Sequence, residues 1–207
     1  MFALVESGSI KSMPKGNKGI QIGDIKHPAS IFTLWTESER NAIGVYTVEI
    51  DNTNKKDEGW YYNTGITYAY DASANKVKGT YGTATAKAIA DTLYTEQNKT
   101  DGLIPSGKDV GDVATEGLKT IKKRYINNQC AQILAPSDWR VIKEQETGSA
   151  MDSGWKTWRG NVRTKCNSMQ TQIGNAANVD ALAALFAYTE QEDKSITRPL
   201  GEFPIKE

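Results

Sequence analysis

Asp138, Glu144, Glu146 and Asp152 are the carboxylates whose closeness in the sequence invites catalysis. A pair of acids flanking a sugar bond is the machinery of a glycosidase, one acid protonating the leaving oxygen while the other acts as base or nucleophile. These four lie in the polar stretch "LAPSDWRVIKEQETGSAMDSGWKTWRGNVRT" (residues 134–164), which also carries three of the five tryptophans. Charged helix faces place acids at such intervals without any chemistry, and the stretch is read that way. His27 is the only histidine and stands beside Pro28 in a loop, so a Ser/His or Cys/His mechanism would rest on one structural or exposed residue. Cys130 and Cys166 have no CxxC or Cys/His spacing. They are expected as buried free thiols rather than zinc ligands, and no metal or cofactor is expected. Neither "GNKG" (16–19) nor "GTYGTATAK" (79–87) matches the G-x-x-x-x-G-K-[ST] pattern that cradles phosphate. Both read as turns.

The composition limits partners too. Lys and Arg number 25 and Asp and Glu number 25, which leaves no global field towards nucleic acid or anionic lipid. Lys119, Lys122, Lys123 and Arg124, with Arg159, Arg163 and Lys165, form a local basic surface, but acids interleave nearby and a solvated helix face is the reading. No run approaches the length of a membrane span, and the start lacks the basic-then-apolar plan of a secretion signal. The expectation is a protein made in a cytoplasm, with protein partners and neither nucleic acid nor membrane. At 207 residues and 38% hydrophobic content, one or two modest domains can build a core.

The elements that must position these residues divide the chain. "FALVES" and "SIKSM" flank a Ser7-Gly8 turn and predict a hairpin. Thr36 and Glu39 have capping-box spacing, Gly44 can end a short helix, and "VYTVEI" alternates as a strand. Around "DASAN" lie two further strand-like runs, with Tyr62, Ile66, Tyr68 and Tyr70 at even spacing and therefore on one face. Trp60, Tyr61, Tyr62, Tyr68 and Tyr70 are the best candidates for a contact surface, because interface cores are rich in Trp and Tyr; one face of a small β core explains the tyrosines equally well. A helix is predicted over "TATAKAIADTLYTEQ" (83–97), followed by a Gly/Asp-rich extended linker over 98–117.

The second half reads as helices. Ile121, Tyr125, Ile126, Ile133 and Leu134 follow helical spacing in a segment closed by Pro136. Trp155, Trp158, Val162, Cys166, Met169 and Ile173 recur at steps of three and four on one face of a long helix. Asn178 caps a third helix whose Ala181, Leu182, Leu185 and Phe186 can cover the other two. Trp155 and Trp158 are read as core, and Trp139 as an aromatic just inside a turn capped by Ser137 or Asp138, clamping two helices. The fold class is α+β: an N-terminal β domain with a short inserted helix (1–82), a helix and linker (83–116), a three-helix bundle (117–192) and a Pro-containing tail unlikely to fold alone (193–207).

Two stretches resemble a group of tailed-bacteriophage tail-fibre, tail-fibre-assembly and virion structural proteins, especially of marine phages. "MFALVESGSIKSM" with "LWTESERNAIGVYTVEID" is similar to modules beginning M-Y/F-A-L-V-x-x-G and continuing to W-S/T-x-x-E-x-x-x-x-G-I/V-Y-x-V. "LAPSDWRVIKEQETGSAMDSGWKTWRGNVR" is similar to the signature L-x-P-T/S-D-W-x-V-x-R-x-x-E-x-G followed by Y-R-x-x-V/L-R, onto which Ser137, Asp138, Trp139, Trp155, Trp158, Arg159 and Arg163 fall. The chain departs from it at Ile142 and Lys143, where the signature has Arg after the valine, at Met151, where proline is usual, and at Trp158, where Tyr is common. The resemblance implies a non-enzymatic structural or adaptor component of a tail or fibre, made in the host cytoplasm and carried in the virion tail. Its partners would be other tail or fibre proteins, and its own form a homo-oligomer or a symmetric ring of copies. A fibre-assembly chaperone that leaves the particle, and a module binding host-surface sugar through aromatics, are the alternatives.

Overall fold

A computed structural model describes residues 1–206 and shows an α+β chain of two compact units, Met1–Thr85 and a second beginning at Ala86. Strands β1 (Phe2–Glu6) and β2 (Ser9–Ser12) form the predicted hairpin, with Ser7 and Gly8 both at positive φ (51° and 77°), the pair that matches strand twist in a two-residue turn. A second hairpin, β3 (Ile20–Ile22) with β4 (Ile25–His27), leads to α1 (Ile31–Leu34) and α2 (Glu37–Ala42), so two short helices stand where one was expected. The capping box of α2 forms: Glu39 N–H donates to the Thr36 hydroxyl, and Thr36 N–H donates to the Glu39 carboxylate at 2.8 Å. Those bonds to Thr36 hold the Glu39 carboxyl below its usual range. Gly44 follows at φ 79°.

Then come β5 (Val45–Asp51), β6 (Tyr61–Tyr62), β7 (Ile66–Asp71) and β8 (Lys76–Tyr81). The main sheet runs β2-β1-β5-β8-β7, with β5 and β8 parallel and the flanking pairs antiparallel. Its outer strands β2 and β7 approach each other, so the sheet curls towards a barrel. Strand alternation builds two cores from one strand pair. Ala3 and Val5 join Tyr46, Val48 and Val77 on one face, packed by Ile10, Met13, Tyr68 and Tyr70. Leu4 and Val45 meet Ile31 and Phe32 on the other. Gly79 lies opposite both Tyr68 and Ile50, and a Cβ there would come within 2.7 Å of the Tyr68 ring and 2.9 Å of Ile50 Cδ1. Glycine is what lets the large side chains meet inside the curl.

The second unit corrects the sequence reading most. Beyond β9 (Thr85–Ala86), no helix spans 83–97; the chain runs extended through β10 (Thr92–Leu93), and only α3 (Glu96–Thr100) is helical. Nor is the Gly/Asp-rich stretch an extended linker. β11 (Val113–Thr115) returns to pair with β10; Tyr94 N–H donates to the Asp112 carbonyl and the Tyr94 carbonyl accepts from Gly111 N–H, both at 2.9 Å. The reason lies at the start of α4 (Leu118–Leu134), whose first N–H groups need acceptors. The carbonyls of Ala88 and Ile89 accept from Leu118 and Lys119 at 2.9 and 3.1 Å, and Asp91 accepts from Gly117 N–H at 2.7 Å and the Thr120 hydroxyl at 2.8 Å. Any side chain at Gly117 would strike the Ala90 carbonyl. These tertiary bonds outweigh the modest helix propensity of residues 83–97.

A 3₁₀ turn (Ala135–Ser137) ends α4 at Pro136 and leads to α5 (Asp138–Thr147), α6 (Ser153–Asn175) and α7 (Val179–Phe186). α5 is additional to the three helices expected, and none of its residues is buried. Leu118, Ile126, Cys130 and Leu134 of α4 pack with Val162, Cys166, Met169 and Ile173 of α6, and α7 adds Val179 and Leu182, capped by Asn178 as predicted. Ile121 and Tyr125 face outwards instead, as does Ala181. The tail folds against the helices: β12 (Thr189–Glu190) pairs with β13 (Ile196–Thr197), Leu200 is fully buried, and its N–H donates to Leu185 at 3.1 Å.

Candidate functional site

The residues of the polar signature come together at the end of α4. Arg159, only 4% exposed, donates to the Leu134 carbonyl at 3.0 Å, to the Ser137 hydroxyl and to the Asp138 carboxylate at 2.6 Å. Ser137 Oγ itself donates to Leu134 O at 2.8 Å. A cation thus closes the carbonyl end of α4, where the helix dipole favours it. This corrects the expected roles of Ser137 and Asp138, neither of whose side chains caps α5; they hold Arg159. The competing partner is a buried guanidinium with several donors, which outbids a single backbone N–H.

Trp139 does not clamp two helices. It is 53% exposed, and its ring stacks on the Arg140 guanidinium at 4.5 Å, which in turn lies over Trp155 at 4.3 Å. Trp155 meets Trp158 edge-on at 5.5 Å and 89°, and Lys206 lies 5.4 Å over the Trp155 ring. Trp158 donates its indole N–H to the Pro204 carbonyl at 2.9 Å. Trp155 and Trp158 are therefore half-buried members of a ladder of aromatics and cations, above the apolar core that begins at Val162. Arg163 faces solvent. A shallow groove of about 330 Å³ runs beside the ladder, lined by Thr157, Trp158, Asn161, Ile205 and Lys206 among others.

Three of the four carboxylates first considered for catalysis have other work. Asp138 holds Arg159, Asp152 accepts from Gly154 and Trp155 N–H at the start of α6, and Glu144 lies 3.6 Å from Lys156. The basic stretch is likewise divided: Arg124 pairs with Glu116, Lys122 lies over Phe186, and Arg159 is buried. His27 packs edge-on against Trp35 at 5.8 Å. Among the described residues no group of three or more His, Cys, Asp or Glu could hold a metal ion, and no helix is long and apolar enough to cross a membrane.

In the first unit the expected aromatic surface splits. Tyr68 and Tyr70 pack on the inner core; the Tyr46 and Tyr70 hydroxyls share a hydrogen bond at 3.2 Å, and that bond, with burial, pushes the Tyr46 phenol up to about 12. Tyr61 is buried with Lys56 4.3 Å over its ring, Trp60 is half-buried, and Tyr62, on β6 rather than β7, is 63% exposed. Even spacing placed Ile66, Tyr68 and Tyr70 together on β7, but the period does not extend across the break to Tyr62. α5 and its Arg140 lie outside the three helices that the spacing predicts; their signal in the chain is Val141, Ile142 and the left-handed Gly148 (φ 68°) that ends the helix. Comparison of the chain with protein-family models, curated proteins and solved structures finds no match in any of the three.

Proposed function

We propose that the chain is a non-enzymatic structural adaptor, a component of the bacteriophage tail or fibre apparatus that its two signature stretches resemble, attaching other tail or fibre proteins within the virion. One observation carries the adaptor reading: α5 buries none of its residues yet exposes Trp139, Val141 and Ile142, the last at 55%. A helix that brings large apolar side chains to the surface without contributing to a core is the anatomy of a binding element. Arg140, sandwiched between Trp139 and Trp155, holds the presenting indole in a fixed orientation and so lowers the entropy lost on docking. In the first unit the approach of β2 and β7 leaves little room for an added strand, which favours attachment through exposed side chains such as Tyr62 over edge pairing.

The test is mass spectrometry of gradient-purified infectious particles of the phage that encodes the chain, with copy number taken against the major capsid protein, for the wild type and for Ile142→Glu. The adaptor reading expects the chain at a small stoichiometric multiple and its loss from particles in the variant. Its absence from particles despite abundance in the lysate would overturn virion attachment and favour the fibre-assembly chaperone.

A further inference from the structure

Cys130 and Cys166 take no part in the surfaces described above. Both are free, both are buried, and they belong to facing helices, Cys130 between Ile126 and Leu134 on α4 and Cys166 between Val162 and Met169 on α6. The Cys166 thiol donates to Asn127 Oδ1 at 3.5 Å, and Gln170 Nε2 donates to the same oxygen at 2.7 Å and to Cys166 Sγ at 3.4 Å. Asn127 sits one turn before Cys130 on α4, so these contacts seat Cys166 against the turn that carries Cys130. Facing one another in the core shared by α4 and α6, the two thiols are near enough that Cys166 perturbs Cys130 electrostatically.

We propose that Cys130 and Cys166 close a reversible disulfide between α4 and α6 when the folded protein meets a disulfide oxidant such as oxidised glutathione. One protein thiol, as thiolate, attacks a glutathione sulfur and releases one glutathione thiolate, which takes up a proton. The second protein thiolate then attacks the protein sulfur of the mixed disulfide and releases the second glutathione. In sum the two protein thiols lose two hydrogens and two electrons, and one glutathione disulfide becomes two thiols. Burial, then the neighbouring Cys166 thiol, pushes the Cys130 thiol up to about 11, so at neutral pH it is almost wholly protonated and exchange is slow. A reducing compartment keeps the pair open, and prolonged residence in an oxidising medium closes it.

The closed ring encloses the Arg159 anchor, α5 and the Trp139–Arg140–Trp155 ladder. Oxidation would therefore fix the segment that presents the docking residues, while leaving the thiols free during synthesis. This inference does not depend on which partner α5 meets. The full chain is incubated natively in glutathione buffers of graded potential, alkylated, and examined by intact mass and peptide mapping. The expected product has lost two hydrogens, contains one linked peptide pair joining Cys130 and Cys166, remains monomolecular, returns to thiols with dithiothreitol and has a thermal midpoint raised by about 5 °C or more. The Cys130→Ser protein should show no such gain under the same buffers. Two alkylated thiols at every potential, stable glutathione adducts, or disulfides between chains as the main product would each overturn the proposal.

Discussion

Trp158 donates its indole N–H to the carbonyl of Pro204 across 46 residues, at 2.9 Å. With Leu200 fully buried, this bond makes the tail part of the helical unit rather than an appendage. Trp158→Phe keeps an aromatic ring, though a smaller one, and removes the donor, whose loss alone costs about 1 kcal/mol. Leu200→Ala should cost about 2–4 kcal/mol. Removing the residues after Lys194 should cost more than either, measured by urea unfolding of the full chain and its variants. An unchanged midpoint on truncation would show that the tail contributes nothing.

Arg159 carries more than its ion pair. Asp138→Asn leaves the bonds to Leu134 and Ser137, and because Asp138 is half exposed the loss should be about 1 kcal/mol or less. Arg159→Met removes the buried donor from the Ser137 hydroxyl and leaves the Leu134 carbonyl only the bond from Ser137, and should cost about 2–3 kcal/mol. Equal losses in the two variants, by chemical denaturation, would mean that the charge pair is the whole effect.

Gly79→Ala reverses the usual rule that alanine is preferred to glycine in an element interior. The added methyl meets Tyr68, Ile50 and Ile66 at under 3 Å, so the first unit should lose about 1–3 kcal/mol. Gly65→Ala, with open space around its Cβ, is the control and should lose nothing. Thermal unfolding followed by tyrosine near-UV circular dichroism reads the effect on the core of Tyr46, Tyr68 and Tyr70.

Asp91 links pH to the start of α4. Its bonds from Gly117 N–H and then Thr120 hold the carboxyl below its ordinary 3.8, so folding favours the ionised form. That contribution is complete above about pH 4, is lost progressively as pH falls through the lower folded value, and is absent below it. Asp91→Asn should destabilise the protein at neutral pH and make its unfolding midpoint less sensitive to acid over that window. Parallel acid titrations of the two proteins check both points.

Local signals were legible where the competing forces were local. The hairpin at Ser7-Gly8, the Thr36–Glu39 box and the Asn178 cap each depend on residues a few positions apart, and each formed. The stripe from Val162 to Ile173 was legible because a helix period fixes a face. Residues 83–97 failed for the opposite reason: their helix propensity is weak, and the N–H groups of α4 offered their carbonyls better partners. The site was legible in composition but not in role. Ser137 and Asp138 looked like caps because the Arg159 that claims them lies more than twenty residues away.

The amino-acid sequence by itself determined the α+β class, the apolar face of α6 from Val162 to Ile173, and the concentration of tryptophan among charges, since these follow from residue type and from the periods of strand and helix. Tertiary structure decided which aromatics are core and which are surface. Tyr68 turned inward because Gly79, opposite it, makes room for its ring, and Tyr70 packs beside Tyr46. Trp139 stayed outside because Arg140 and Trp155 stack beneath it. The free energy of an aromatic ring depends on which neighbours distant segments bring to it, and no spacing along the chain encodes that.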